Sequence, residues 1–171
     1  MRNPAPRLLQ LGLVLLLCSG GLQSAVRAQS PAAPSQSETE PNKALVRRWI
    51  EEGFNQHNLQ VVDAIFAETL TINGHLMGRE NLKQNMSRWL AAFPDLHVTI
   101  DTMIGEGNSV GLWYTVKGIH KGAFEGIPPT GRQVSWVGVD LLRIESGRIA
   151  QGTFVDDSLG LLRQLGATPG D

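Results

Sequence analysis

Asp140 is the carboxylate whose neighbours make it chemically unusual. It interrupts Val134, Trp136, Val137, Val139, Leu141, Leu142 and Ile144, and at strand spacing it shares a face with Trp136 and Gly138. Burying a carboxylate on such a face is costly, so its pKa should rise and it becomes a candidate general acid or base. The same position also suits a face that meets solvent or a second copy, or a carboxylate paired with an arginine. His120 follows a strand and begins a loop rich in Gly and Pro. It either stands at a pocket mouth beside the substrate as Asp140's helper, or pins the Pro128-Pro129-Thr130-Gly131 segment by hydrogen bonding. Asp156 and Asp157 adjoin the last helix, and Asp157, three residues before Gly160, can cap it or reach a pocket.

Trp113, Tyr114, Trp136 and Phe154 read as core or pocket wall rather than as an aromatic box for a cation. His75 and His97 stand alone at a turn and a strand start, and His75 is kept as a pocket candidate. No histidines recur at metal-ligand spacing and there is a single cysteine, so no metal site is expected. Neither a Ser-centred nucleophile elbow nor a Gly-rich phosphate loop occurs, so hydrolase and nucleotide chemistry lack support and no cofactor is expected.

The elements that must position these residues follow from hydrophobic period. Asn42 reads as an N-cap before a helix over Lys43–Phe54, with Leu45, Trp49 and Val46, Ile50 at i, i+4. A short helix is predicted from Leu59 to about Ala67, a weak strand over Thr69–Asn73, and a helix over Glu80–Phe93 stopped by Pro94. From His97 the period becomes two. Strands are predicted over His97–Glu106, with Val98, Ile100, Thr102 and Ile104 on one face, and over Ser109–Gly118, with Trp113 facing away from Tyr114. Gln133–Ile144 is a long two-sided strand, Arg148–Asp157 follows a Ser146-Gly147 turn, and Leu159–Leu165 is a last helical segment. Helices followed by an antiparallel meander make an α+β plan, with a pocket between sheet and helices.

At 171 residues, with 42% hydrophobic and 18% charged side chains, the chain fits one domain with a real core. A net charge of −1 argues against nucleic acid as a partner. Arg2 and Arg7, the apolar Leu8–Cys18 and the Val26-Arg27-Ala28 end read as a signal peptide over residues 1–28. The apolar run is too short to span a bilayer, so no stable membrane span is expected in the mature chain. Cleavage near Ala28 would remove three arginines and no acid, leaving 12 basic against 16 acidic residues. Residues 29–42, rich in Pro, Ser, Ala, Gln and Glu, read as a flexible linker before the domain at 43–168.

The segment from Gly118 to Arg132, GIHKGAFEGIPPTGR, resembles the G-x-H-x-G-x-F-x-G-I-P-P-T-G-R signature of SnoaL-like polyketide cyclases, or ester cyclases. Phe93-Pro94-Asp95-Leu96, Arg143-Ile144 with Gly147-Arg148-Ile149, and the stretch from Asp157 to Gly166 resemble three further motifs in the same order. The resemblance spans Lys43 to Gly166. It implies the nuclear-transport-factor-like fold, a conical barrel of a curved, mostly antiparallel sheet wrapped over three N-terminal helices. It also implies a homodimer and ring closure by aldol condensation, with a pocket carboxylate as acid/base and no cofactor. The residue-by-residue match departs where it matters. The cyclases' catalytic aspartate falls on Phe154, and a pocket-facing histidine of theirs falls on Asp140. Two functions therefore stand. One is an exported domain that binds a small hydrophobic, carbonyl or polyketide-like molecule and cyclises or isomerises it through Asp140 and His120. The other is a non-catalytic binder with the same pocket.

Overall fold

Apolar residues at i, i+4 spacing build the first helix, α1 (Thr39–Arg48), which buries Val46 and turns Arg47 and Arg48 outward. The structure is a computed structural model describing residues 38–167, so the expected leader and the linker through residue 37 lie outside the described residues. Helix α1 begins before Asn42, which is therefore not its N-cap. The Asn42 side chain is buried and donates to the Gly107 carbonyl at 3.0 Å. A π-helical stretch, Trp49–Asn55, continues the apolar stripe through Trp49 and Ile50. It ends on Asn55, whose amide donates to the Val98 carbonyl at 3.0 Å and accepts from the Val98 N–H at 2.8 Å. This pair of bonds ties the helix end to the sheet edge.

Helix α2 (Val61–Ile65) is shorter than the period predicts, and β1 (Phe66–Ile72) starts at once. The Arg148 guanidinium donates to the carbonyls of Asp63 and Phe66 at 2.6 and 3.2 Å. An outside side chain thus satisfies carbonyls that a longer helix would have bonded itself. Asn73 and Gly74, at φ 50° and 81°, turn the chain into an unexpected short strand, β2 (His75–Gly78). Helix α3 (Arg79–Ala92) then buries Leu82, Met86 and Ala92.

Strands β3 (His97–Glu106), β4 (Ser109–Ile119), β5 (Gln133–Glu145) and β6 (Arg148–Asp156) form the meander, and α4 (Ser158–Leu165) closes the domain. The order in the sheet is β2-β1-β6-β5-β4-β3, with only β1 and β6 parallel. The result is the expected α+β fold, a curved six-stranded sheet that is a cone left open between β2 and β3. One facing differs from the period-two reading. Asp101 is an extra residue between the Ile100–Tyr114 and Thr102–Trp113 pairs, which changes the parity of the rest of β3. Ile104 consequently faces outward and Met103 packs on the core.

Strand β5 shows the clearest alternation. Its inner positions Val134, Trp136, Gly138, Asp140, Leu142 and Ile144 are all buried, and the residues between them are exposed. The loop from β4 to β5 lies over the end of α3, where Lys121 and Gly122 donate to the Ala92 carbonyl at 2.9 and 3.0 Å. A side chain at Gly122 would run into the Ala91 backbone, so glycine permits that approach.

Candidate functional site

The inner faces of β4, β5 and β6 meet α3 and the π-helical stretch around a cavity of about 520 Å³. Two groups of rings wall it. Trp89 on α3 stacks on Trp136 at 5.5 Å between centroids and meets Phe124 of the loop at 4.6 Å. Trp49 stacks on Phe154 at 5.6 Å, with Phe54 beside it. Arg88 and Glu125 bring charge to the cavity lining, and both are exposed.

The sheet floor between these walls carries the polar groups. Asp140 is 2% exposed and Tyr114 faces it from the next strand, with its hydroxyl 3.1 Å from Asp140 Oδ1. The same hydroxyl lies 3.3 Å from Oδ1 of Asp156 on β6, which also accepts the Trp136 indole N–H at 3.2 Å. Gly138 lets this happen. A Cβ there would occupy the space of the Tyr114 ring, so only glycine allows the tyrosine to cross β5 and reach both carboxyls.

Among the described residues no lysine or arginine takes part in this network. Burial pushes the Asp140 carboxyl up to about 8; the Tyr114 hydrogen bond opposes the rise and the Asp156 charge adds to it. Burial also raises Asp156, against the hydrogen bonds from Trp136 and Tyr114. Tyr114 is raised by burial and then by the two carboxylates. Among the described residues, the second oxygen of Asp140 bonds no protein group. Among the described residues, only Trp49 Nε1 and His120 Nε2 are fully enclosed side-chain polar atoms without a partner, so Asp140 Oδ2 opens on the cavity that the residue lines. The site therefore offers a ligand one carboxyl oxygen at the end of a hydrogen-bonded chain.

Of the residues singled out in the sequence, Asp140, Tyr114, Trp136 and Phe154 all line this cavity. Asp140 and Phe154 are direct partners across β5 and β6. The other four lie elsewhere. Trp113 stands 53% exposed on the outer face of the sheet, as its parity with Tyr114 requires. His75 is exposed on β2, at the sheet edge. Asp157 caps α4, its Oδ1 accepting from the Gly160 N–H at 2.8 Å. His120 is fully buried behind Phe93, whose ring is 5.3 Å away, and its Nδ1 accepts the Thr130 N–H at 3.2 Å. It therefore pins the Pro-rich loop and does not line the cavity.

Asp156 is the residue that the sequence reading passed over in favour of its neighbour. Its signal was strand parity, because it shares a face with Phe154 whereas Asp157 does not. Trp49, Trp89 and Phe124 were also missed, since walls drawn from three separate elements leave no spacing to read. No group of side chains that could hold a metal ion occurs among the described residues.

The family model for SnoaL-like polyketide cyclases matches residues 44–165. Among solved structures, TsrD from Streptomyces laurentii is 28% identical, with 75% of this chain and 97% of that one covered and a TM-score of 0.70. AclR from Streptomyces galilaeus is 27% identical, covering 78% and 85%, with a TM-score of 0.69. A SnoaL-like polyketide cyclase from Agrobacterium tumefaciens is 18% identical, covering 73% and 98%, with a TM-score of 0.65, a likeness of fold alone. No curated protein sequence matches the chain.

The raised Asp140 carboxyl sets a pH signature. Below about pH 3 an aspartate is largely protonated whether the chain is folded or not, and its burial adds no charge penalty. As pH rises, the unfolded chain ionises while the fold retains the proton, so stability falls until the folded group ionises near 8. Asp140→Asn removes this loss. Its unfolding free energy should match the wild type near pH 3 and exceed it at pH 8, by on the order of 1–3 kcal/mol. An advantage that does not change with pH would mean that Asp140 is ionised throughout.

Proposed function

The chain belongs to the SnoaL-like polyketide cyclase family, and from that premise we propose that its cavity binds a small, largely apolar carbonyl or polyketide-like molecule and performs acid/base cyclisation or isomerisation on it. Asp140 is the group that takes and returns the proton. The observation that carries this reading is its free oxygen, presented to an apolar cavity from a carboxyl with no cation beside it.

The departure from the family pattern supports the same assignment. By the resemblance, the cyclases hold their carboxylate on the strand position that Phe154 occupies here. Asp140 is the direct cross-strand partner of Phe154, and such partners have Cα atoms roughly 5 Å apart. An acid on β5 in place of β6 thus serves nearly the same volume of cavity. Aromatic walls on both sides exclude water and hold a flat apolar body over the carboxyl, so that proximity and proton transfer act together. The chemistry is removal of a proton from carbon next to a carbonyl, followed by its return to oxygen or carbon.

The outer face of the sheet supports a homodimer. Trp113, Val139 and Val155 form a row across three strands, and Leu141 lies beside it; all four are strongly exposed. Exposed apolar patches of this kind mark association surfaces, and a second copy of the same face would cover it. Export is part of the same proposal, resting on Arg2, Arg7, the Leu8–Cys18 run and Val26-Arg27-Ala28. No helix among the described residues is long and apolar enough to cross a membrane.

Three measurements test these readings. Deuterium uptake from heavy water into the methyl group of 2-acetonaphthone, followed by NMR, should run faster with the wild type than in buffer. Asp140→Asn should lower that enzymatic rate by roughly 10²-fold. If exchange equals the buffer rate while the ketone still quenches the cavity tryptophans, the protein is a binder and not a catalyst. In light scattering at micromolar concentration the wild type should be a dimer and Val139→Glu a monomer; a monomeric wild type overturns the assembly. Intact mass of the protein recovered outside the cytoplasm should correspond to a chain starting at Gln29, and a lipid-modified chain starting at Cys18 would refute that cleavage.

A further inference from the structure

The Tyr114 hydroxyl has one hydrogen and two carboxyl oxygens within reach, at 3.1 Å on Asp140 and 3.3 Å on Asp156. A phenol can donate to only one of them. The second contact becomes a hydrogen bond only if the other aspartate carries a proton and donates it to the phenol oxygen. The Trp136 indole N–H is already committed to Asp156 Oδ1, which favours the charge on Asp156, whereas Asp140 has no donor except Tyr114. The two carboxyls also differ in access: Asp140 is buried, while Asp156 is half-buried at the end of β6.

We propose that Asp156 and Tyr114 are positioning residues that hold and pass the proton used by Asp140, with Asp140 and Asp156 sharing a single proton through the tyrosine hydroxyl. In one state Asp140 is the acid, donating to the Tyr114 oxygen while Tyr114 donates to the Asp156 carboxylate. In the other, both hydrogens have shifted along the chain, so that Asp156 is the acid and Asp140 the carboxylate. The shift is concerted, one O–H bond forming on the tyrosine oxygen as the other breaks, so no phenolate is left behind. In the second state Asp140 Oδ2 can take a proton from ligand carbon: the C–H bond breaks, the O–H bond forms and the electron pair passes to the ligand's carbonyl. That proton returns to the ligand directly from Oδ2. The shared proton is thus unchanged at the end of the cycle, and Asp156, the more accessible end, is where it exchanges with water. With a ligand seated over Asp140, the carboxyl can therefore switch between acid and base from behind.

The charged and titratable groups around the chain leave this arrangement undisturbed. From β4 the only such group facing Asp140 is Tyr114 itself, and from β6 it is Asp156. Arg88 of α3 and Glu125 of the loop are exposed residues of the cavity lining, Asp157 is turned to its cap on α4, and the π-helical stretch contributes Trp49 and Phe54. The proposal rests on Asp140 as the proton carrier of the proposed function, but its test requires no substrate.

The experiment is carboxyl-carbon NMR of the full chain labelled at aspartate, titrated from pH 4 to 10, with Asp140 and Asp156 assigned from Asp140→Asn and Asp156→Asn. In the wild type both signals should shift in the same two steps, because two strongly interacting sites titrate as a pair. Asp156→Asn should reduce the Asp140 curve to one step, at least about one pH unit lower, since a neighbouring charge has gone. Asp156→Glu should restore two steps. Tyr114→Phe should move Asp140 upward, the hydrogen bond that favours its charged form having been removed. If Asp140 titrates in the same single step in the wild type and in Asp156→Asn, or unchanged in Tyr114→Phe, the shared proton is disproved. Should one variant fail to fold, the other decides. Coupled titration without ketone exchange would refute the catalytic reading and keep the shared proton; exchange without coupling would do the reverse.

Discussion

One tyrosine hydroxyl held between a buried and a half-buried carboxyl is the contact on which the inner architecture turns. For Tyr114 to reach Asp140 and Asp156 its ring must cross the strand between them, and it crosses at Gly138, where a side chain would take the ring's place. Asp140 must face inward, which the alternation of β5 ensures by burying every second residue from Val134 to Ile144. The carboxyls must also find donors, because a buried polar group without a partner is more costly than one with a modest hydrogen bond. Tyr114 and Trp136 supply those donors, and among the described residues no lysine or arginine bonds either carboxyl.

The remainder of the domain shields this network. The π-helical stretch, fastened to β3 by Asn55, sets Trp49 over Phe154, and α3 sets Trp89 over Trp136. His120 acts at one remove. It secures Thr130 and so the loop that brings Phe124 against Trp89, while Gly122 lets the loop settle on α3. The motif densest in Gly, Pro and His is thus a structural clamp over the cavity, and the carboxyls of the proposed site lie on plainer strands.

The proposed proton carrier, Asp140, was legible because a carboxylate in an apolar strand is conspicuous in any frame. Tyr114, Trp136 and Phe154 were legible for a related reason, as large rings on strands with a clear alternation. Errors arose where alternation was interrupted or neglected. Trp113 belongs to the outer face by the same parity that puts Tyr114 inside, and between Asp156 and Asp157 a single residue separates a buried network from a helix cap. His75 lies on a strand that the sequence reading did not foresee, formed by a two-residue turn at Asn73-Gly74. The bulge at Asp101 likewise reverses the facing of Ile104.

Taken alone, the sequence determined the α+β order of elements, the apolar stripe of each helix, the strand limits from His97 onward and the presence of one misplaced carboxylate. These are local properties, set by the period of hydrophobic residues and by Gly, Pro and Asn at turns. Only the tertiary structure decided that Asp140 meets Asp156 through Tyr114, that Phe154 is its neighbour, and that His120 serves the loop. Those relations join residues 10 to 42 positions apart, most of them across strands whose register is fixed by packing over the whole sheet. A period of two tells which face a residue takes, but not which residue of another strand will stand opposite it.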